Sequence, residues 1–241
     1  MKRVLITGGG SGTGADMARK FAELGHEVVV TGRRRDALDS VAGGRIRAVI
    51  ADVTDEASVA QMFADAGPCD IVIANAGQAA AAPLRKVSLA DWNAMMGVNL
   101  TGVFLTFRDG LAQMGDQGRL IAVASVAGLA GAAYAAPYAA SKHGVMGLVR
   151  SLALEVAKTG VTVNAVCPSY IDTEMTRRTI ANIVEKTGRS QEQAIASLTT
   201  RNPQGRLIGP DEVTGAVMWL CSDAARGVNG QAVTIDGGGV G

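Results

Sequence analysis

The chain alternates short apolar runs with longer segments of mixed polarity. Seven runs are rich in β-branched or other apolar residues, at 3–7, 27–31, 45–50, 70–75, 119–125, 161–167 and 231–236. Between them, apolar residues recur at helical spacing over 15–24, 58–63, 92–111 and 145–156. Nearly continuous apolar strands separated by helices predict an α/β fold, a doubly wound parallel seven-stranded sheet with helices on both faces. Such sheets take ligands beyond the carboxyl ends of their strands, where the strand order reverses, so chemistry is sought just after each run. The stretch 172–209 breaks the rhythm: it has no clear strand and is rich in Arg, Thr, Gln and Glu. It reads as an inserted helical flap beside the site, in a chain whose residues 1–241 otherwise read as a single domain.

Charge and composition narrow the function classes. With 23 basic and 22 acidic residues and no long single-sign run, nothing favours nucleic acid or an anionic membrane as partner. The N-terminal apolar run ends at Ile6, far short of a signal-peptide core or a membrane span, so a soluble, cytoplasmic protein is expected. Cys69, Cys167 and Cys221 are far apart and without C-x-x-C spacing, and His26 and His143 form no cluster with carboxylates, so no disulfide framework and no metal site is expected.

After the first apolar run comes Thr7-Gly-Gly-Gly-Ser-Gly-Thr-Gly14 and then helical spacing. Glycines there allow a tight turn and close approach of backbone to phosphate, while the helix N-terminus offers unpaired N–H groups to an anion. Strand, glycines and helix in this order predict a dinucleotide site, with Gly8, Ser11, Gly12, Thr13 and Gly14 as contacts. At the end of the second run, an acid would suit the ribose 2′-hydroxyl of NAD, but the chain has Arg33-Arg34-Arg35. A guanidinium at Arg33 suits a 2′-phosphate, so NADP(H) is favoured over NAD(H), unless the arginines only cover the following helix.

Tyr138 and Lys142 stand four apart behind Pro137, on one face of a predicted helix. A free phenol titrates near pH ~10, and lowering that by about three units requires ~4 kcal/mol of extra stabilisation of the phenolate. A neighbouring ammonium and a positively charged oxidised nicotinamide are sources of that order, which makes Tyr plus Lys an acid/base unit. Ser125, at the end of the fifth run, is placed to stabilise developing oxyanion charge. A Ser thirteen residues before a Tyr that is itself four before a Lys arises by chance only about 0.003 times in this composition.

The glycine turn, Asn75-Ala76-Gly77, Asn99, Ser125 and Tyr138-x-x-x-Lys142 together resemble the short-chain dehydrogenase/reductase family, over essentially the whole chain. The resemblance implies a single-domain Rossmann fold and a catalytic tetrad. Tyr138 would exchange a proton with the substrate oxygen, Ser125 would be its oxyanion partner, Lys142 would hold the nicotinamide ribose and lower the tyrosine pKa, and Asn99 would hold a relay water. It also implies that Asp52 and Val53 contact adenine, that Asn75, Ala76 and Gly77 line the cofactor ribose, and that Ile171 and Thr173 meet the carboxamide after Pro168. Asp52 alone also reads as a strand-end cap. Pro168-Ser169 where many members have Pro-Gly, and Ser11 where many NADP-preferring members carry a basic residue, depart from the pattern.

The pattern Asn202-Pro-Gln-Gly-Arg206 looks most like members that reduce 3-oxoacyl thioesters or related ketones. Arg177, Arg178, Lys186, Arg189 and Arg201 are then candidates for the phosphates of a CoA or carrier-protein arm, or are solvated charges. Rival readings are an NAD-linked dehydrogenase of a hydroxy acid, cyclic alcohol or polyol, and a non-catalytic cofactor-sensing protein on the same fold. By resemblance, the long helices at about 88–110 and 137–158 would build a homotetramer, with Gly144 and Gly147 allowing close helix approach.

Overall fold

The computed structural model describes residues 1–200 and 202–240. Seven strands pair in parallel: β1 (Arg3–Thr7), β2 (Glu27–Gly32), β3 (Ile46–Ile50), β4 (Ile71–Ala74), β5 (Gln117–Val123), β6 (Gly160–Pro168) and β7 (Ala232–Ile235). Their spatial order is β3-β2-β1-β4-β5-β6-β7, so the order reverses between β1 and β4. This is the doubly wound sheet expected from the apolar runs. The helices are α1 (Gly12–Glu23), α2 (Arg35–Asp39), α3 (Glu56–Ala66), α4 (Leu89–Met96), α5 (Gly102–Gln113), α6 (Ala136–Glu155), α7 (Glu174–Thr187), α8 (Gln191–Thr199) and α9 (Pro210–Leu220).

Side chains alternate across each strand and fill two cores. Leu5, Val29, Val72 and Leu120 pack with residues of α3, α5 and α6, such as Phe63, Phe107 and Val149. Val4, Val30, Ile73 and Ile121 pack on the other face with Phe21 of α1, Leu38 of α2 and Val217 of α9. Burial on both faces is why the strands read as apolar runs without alternation. Local chemistry fixes several helix ends: the Asp55 carboxylate accepts from the N–H groups of Ala57 and Ser58 at α3, and Ser88 and Asp91 form a capping box at α4.

Element ends differ from the sequence reading by a few residues, and two differences bear on the site. The expected helix over 92–111 contains a π turn at Gly97–Thr101 between α4 and α5. Tertiary contacts account for it: Asn99 within the turn is wholly buried and bonded to Gln78, and a Cβ on Gly102 would lie 2.8 Å from Val53 Cγ2. The fifth strand runs from Gln117, because Gln117 and Gly118 pair with Gly160 and Val161 despite their lack of apolar side chains, and it stops at Val123. Ser125 therefore follows the strand and caps a 3-10 turn, Val126–Gly128.

Segment 172–209 holds α7 and α8 and is closed at its base by a parallel bridge between Ile171 and Ile208. There the Ile208 N–H donates to Tyr170 O at 2.9 Å and the Asp172 N–H to Ile208 O at 2.8 Å. The three cysteines are buried free thiols. Among the described residues, no helix is long and apolar enough to cross a membrane. Gly144 packs within the chain, since a Cβ there would meet Leu100 Cδ2 at 2.7 Å, whereas nothing lies within 4 Å of one built on Gly147.

Candidate active site

Both halves of the site lie at the reversal of strand order. Between β1 and α1, Gly8 has φ of 65° and Gly12 of 51°, the left-handed region that favours glycine. The Asn75 side-chain N–H groups donate to Thr7 O at 3.0 Å and Gly8 O at 3.2 Å, while Thr7 Oγ1 accepts from the N–H groups of Asn75 and Ala76, each at 3.0 Å. This lattice ties the glycine turn to the end of β4. Gly14 leaves it room: a Cβ there would sit 2.4 Å from Gly8 O and 2.6 Å from Asn75 Nδ2. The Ser11 hydroxyl makes no capping bond at α1, and the first turn of that helix carries no acid, so its N–H groups are left for an anion.

Beside this turn opens a cleft of about 210 Å³ lined by Gly8, Ser11, Arg33, Asp52, Ala76 and Gly77 among others. Val53 lines it too, as do Gly10, Arg34 and Val98, which the sequence reading did not nominate; the Arg33-Arg34-Arg35 run was the only available signal for Arg34. Gly12, Thr13 and Gly14 form the start of α1 behind it. Asp52 lies within 3.8 Å of Arg33; the arginine is largely exposed and the aspartate about a third exposed. Burial opposes ionisation of Asp52, but hydrogen bonds from Thr54 and the Arg33 charge outweigh it and hold the carboxyl below its usual range. Glycines that bring backbone close, an uncapped helix N-terminus and two arginines fit a dinucleotide bearing a phosphorylated or free ribose. Pro168 ends β6, Ile171 forms the flap bridge, and Thr173 precedes α7 with its methyl 3.3 Å from where a Gly12 Cβ would stand.

The second half converges from β5, α6 and the π turn. Tyr138 and Lys142 share a face of α6, with Lys142 Nζ 5.8 Å from the Tyr138 ring centroid. Lys142 is 4% exposed and donates to Val123 O at 2.9 Å. Burial in low dielectric pushes its pKa down to about 8. Enclosure of the Tyr138 phenol raises its pKa, and a hydrogen bond with Ser125 opposes that rise. Ser125 Oγ accepts from the Ala127 N–H at 3.1 Å, and its own proton meets only Pro168 O at 3.5 Å within the chain's backbone. Gly128 lets this turn press against α6, because a Cβ there would sit 2.8 Å from Lys142 O.

Asn99 is wholly buried and clamps Gln78 from both sides, accepting from its N–H at 2.9 Å and donating to its carbonyl at 2.8 Å. Asn99 Nδ2 also lies 3.3 Å from Ser141 Oγ, which donates to Tyr138 O at 2.7 Å. The four nominated polar side chains are thus gathered around the end of β5. His143, one residue past Lys142, is exposed and bonds only Ala139 O of its own helix. Thr7 and Ser141 were not nominated, because ordinary Thr and Ser residues reveal their partners only once distant strands and helices meet.

On the flap, Arg177 pairs with Asp172 at 3.1 Å and Arg178 pairs with Glu174. Arg201 lies outside the described residues.

A family model described as enoyl-(acyl carrier protein) reductase matches residues 8–239. A relative described as a ketoacyl reductase of the granaticin polyketide synthase, from Streptomyces violaceoruber, is 35% identical, over 97% of this chain and 91% of its own. The cis-4-hydroxycyclohexanecarboxylate dehydrogenase of Sinomonas cyclohexanicum is 38% identical, over 97% of this chain and 94% of its own. Among solved structures, a tryptophan variant of actinorhodin polyketide ketoreductase with NADPH superposes with a TM-score of 0.89 at 34% identity, covering 98% of this chain and 96% of that one. With sequence likeness running nearly end to end on the same sheet, the chain belongs to the short-chain dehydrogenase/reductase family of oxidoreductases.

Proposed function

We propose that the protein is an NADP(H)-dependent reductase of a ketone, interconverting it with a secondary alcohol, with Tyr138 as the proton donor. The observation that carries this reading is the meeting of Tyr138, Lys142 and Ser125 beside the glycine-lined cleft. Gly8, Gly12, Ser11, Asn75, Arg33 and Asp52 would hold the dinucleotide, whose nicotinamide supplies the hydride when bound. A phenol with a raised pKa stays protonated at neutral pH, the state a donor to a carbonyl oxygen requires. As the proton leaves, the Lys142 ammonium favours the phenolate by a raw Coulomb energy of roughly 3–4 kcal/mol at short range in a partly screened site. Ser125, oriented by Ala127, donates to the same substrate oxygen as its charge develops. We assign to Asn99 both the placement of Gln78 and its loop, which its side-chain amide performs, and the holding of a proton-relay water.

For the substrate we favour a 3-oxoacyl thioester on CoA or a carrier protein, or a related ketone, in keeping with the likeness to polyketide ketoreductases. The pairing of Arg177 and Arg178 within the flap leaves Lys186 and Arg189 as candidates for phosphate contact. Likeness to a cyclic-alcohol dehydrogenase supports the second reading, NAD-linked oxidation of a cyclic alcohol or hydroxy acid. We also read the chain as a single domain with 172–209 as its substrate flap, acting as a cytoplasmic homotetramer; sedimentation as a monomer at micromolar concentration would reject the last point. Tyr138→Phe tests the central reading: turnover should fall by about 10²–10⁴-fold while the cofactor still binds. Equal turnover by the variant would reject it, as would the absence of any turnover by the wild type over a broad carbonyl and carbinol panel. Arg33→Ala should erase a 2′-phosphate preference in a cofactor titration, and indifference to that change would favour NAD.

A further inference from the structure

Tyr134 is the only non-glycine residue with positive φ among the described residues, at 62°. A bulky residue in that region stores strain, and such strain clusters where a site needs a side chain or backbone group held in one place. Here the Tyr134 carbonyl accepts from the Ala82 N–H at 2.7 Å, which ties the loop before α6 to the loop after β4. The Tyr134 side chain is 68% exposed, four residues before Tyr138. A second large side chain stands open on the loop that follows β6, Tyr170 at 44%, near enough to the Tyr138 phenol to oppose its ionisation. Single exposed apolar residues are ordinary, but these two aromatic side chains stand on the loops that follow β5 and β6, next along the chain to the elements that carry Tyr138 and end at Pro168.

Charge around this mouth points the same way. Residues 76–83 and 128–135 contain no charged side chain. In the third loop Asp172 is paired with Arg177 of α7, whose Glu174 is in turn paired with Arg178. The nearest cations along the chain, Arg85 and Lys86, belong to the 3-10 turn Leu84–Lys86 outside those loops.

We propose that Tyr134, with Tyr170, forms an apolar rim that selects a ketone whose body next to the carbonyl is bulky and apolar over a small keto acid, and that Tyr134 is the specificity-determining residue of that rim. This rests on the ketone-reductase reading and narrows its substrate class. The rim covers the ring or chain beyond the carbonyl, while the reacting oxygen reaches Tyr138 and Ser125. A keto acid would have to bring its carboxylate past the same loops with no cation in them to meet it.

Steady-state reduction of benzylacetone, butanone and acetoacetate with saturating NADPH, by wild type, Tyr134→Ala and Tyr134→Phe, tests the proposal. The wild type should favour benzylacetone over acetoacetate by about tenfold or more in kcat/KM, from the ring contact together with the missing cation. Tyr134→Ala should lose about tenfold on benzylacetone through KM, leave butanone within about twofold, and be rescued by Tyr134→Phe. Preference for acetoacetate, or an equal loss on all three ketones in Tyr134→Ala, would overturn it. If no ketone were reduced, the reductase reading would fall, and the rim would then be judged by calorimetric titration of the same compounds into the same proteins. Tighter binding of benzylacetone than of acetoacetate, lost in Tyr134→Ala, would uphold the rim, and equal binding would overturn it.

Discussion

Replacing Lys142 with methionine should make the protein more stable while abolishing its chemistry. Lys142 is 4% exposed, and burial brings its pKa from 10.5 to about 8. The folded state therefore binds a proton less readily than the unfolded state does, so stability is fully present above the unfolded value and is lost as pH falls from 10.5 toward about 8. A depression of about 2.5 units corresponds to roughly 3 kcal/mol of instability near neutral pH. Against this stands the charge-assisted hydrogen bond to Val123 O at 2.9 Å, worth about 1.5–3 kcal/mol. Methionine keeps the stem without the charge, leaving a net gain of up to about 1.5 kcal/mol near pH 7, or up to roughly 6 °C in Tm for a chain of this size. Thermal unfolding without cofactor, followed by circular dichroism, reads this directly. On going to about pH 9.5, where the wild-type lysine sheds its proton and most of its penalty, the balance should shift by about 2 kcal/mol toward the wild type. A lower Tm for Lys142→Met at neutral pH, or a gap between the two proteins that ignores pH, would refute the reasoning.

Three further changes have definite outcomes. Gly14→Ala forces a Cβ to within 2.4 Å of Gly8 O and 2.6 Å of Asn75 Nδ2, so the glycine turn must shift; dinucleotide affinity should fall by about tenfold or more and stability by about 1–3 kcal/mol, read by fluorescence titration and Tm. Tyr134→Gly relieves a φ of 62° that Tyr134→Ala retains, so the glycine variant should be the more stable of the two by about 1 kcal/mol in denaturant unfolding. Arg206 hydrogen-bonds Glu212 through both guanidinium branches at 2.6 and 2.7 Å and, with the Gly209 N–H, holds its pKa down from 4.5 to about 2. Stability from this pair is present above pH 4.5 and lost as pH falls toward about 2. Because both partners are partly exposed, Arg206→Ala should lower Tm only slightly at neutral pH and flatten the acid side of the stability curve, seen as Tm against pH.

What the sequence could show follows from how far apart the interacting groups lie. The strands were legible because burial on both faces leaves Val4 to Ile6 or Ile71 to Ala74 without a polar position. Tyr138 and Lys142 were legible for a similar reason, since one helical turn separates them and spacing alone puts them on one face. The lattice behind them was not. The Thr7 hydroxyl meets Asn75 and Ala76 across 68 and 69 residues, and the Asn99 amide meets Gln78 across 21 and Ser141 across 42. No local propensity encodes those partners, and the π turn at Gly97–Thr101 that carries Asn99 reads as ordinary helix in the apolar pattern. Ser125 lies between these cases. Apolar counting extends the strand to include it, but the strand ends at Val123, and the hydroxyl is aimed by its bond from Ala127 in the turn beyond. The difference bears on chemistry: a serine inside a strand would share the sheet's alternation, whereas one that caps a turn packed on Lys142 through Gly128 is positioned by the same helix that carries Tyr138. A change at Gly128 should therefore disturb Ser125 and Lys142 together, although neither side chain is touched by the substitution itself.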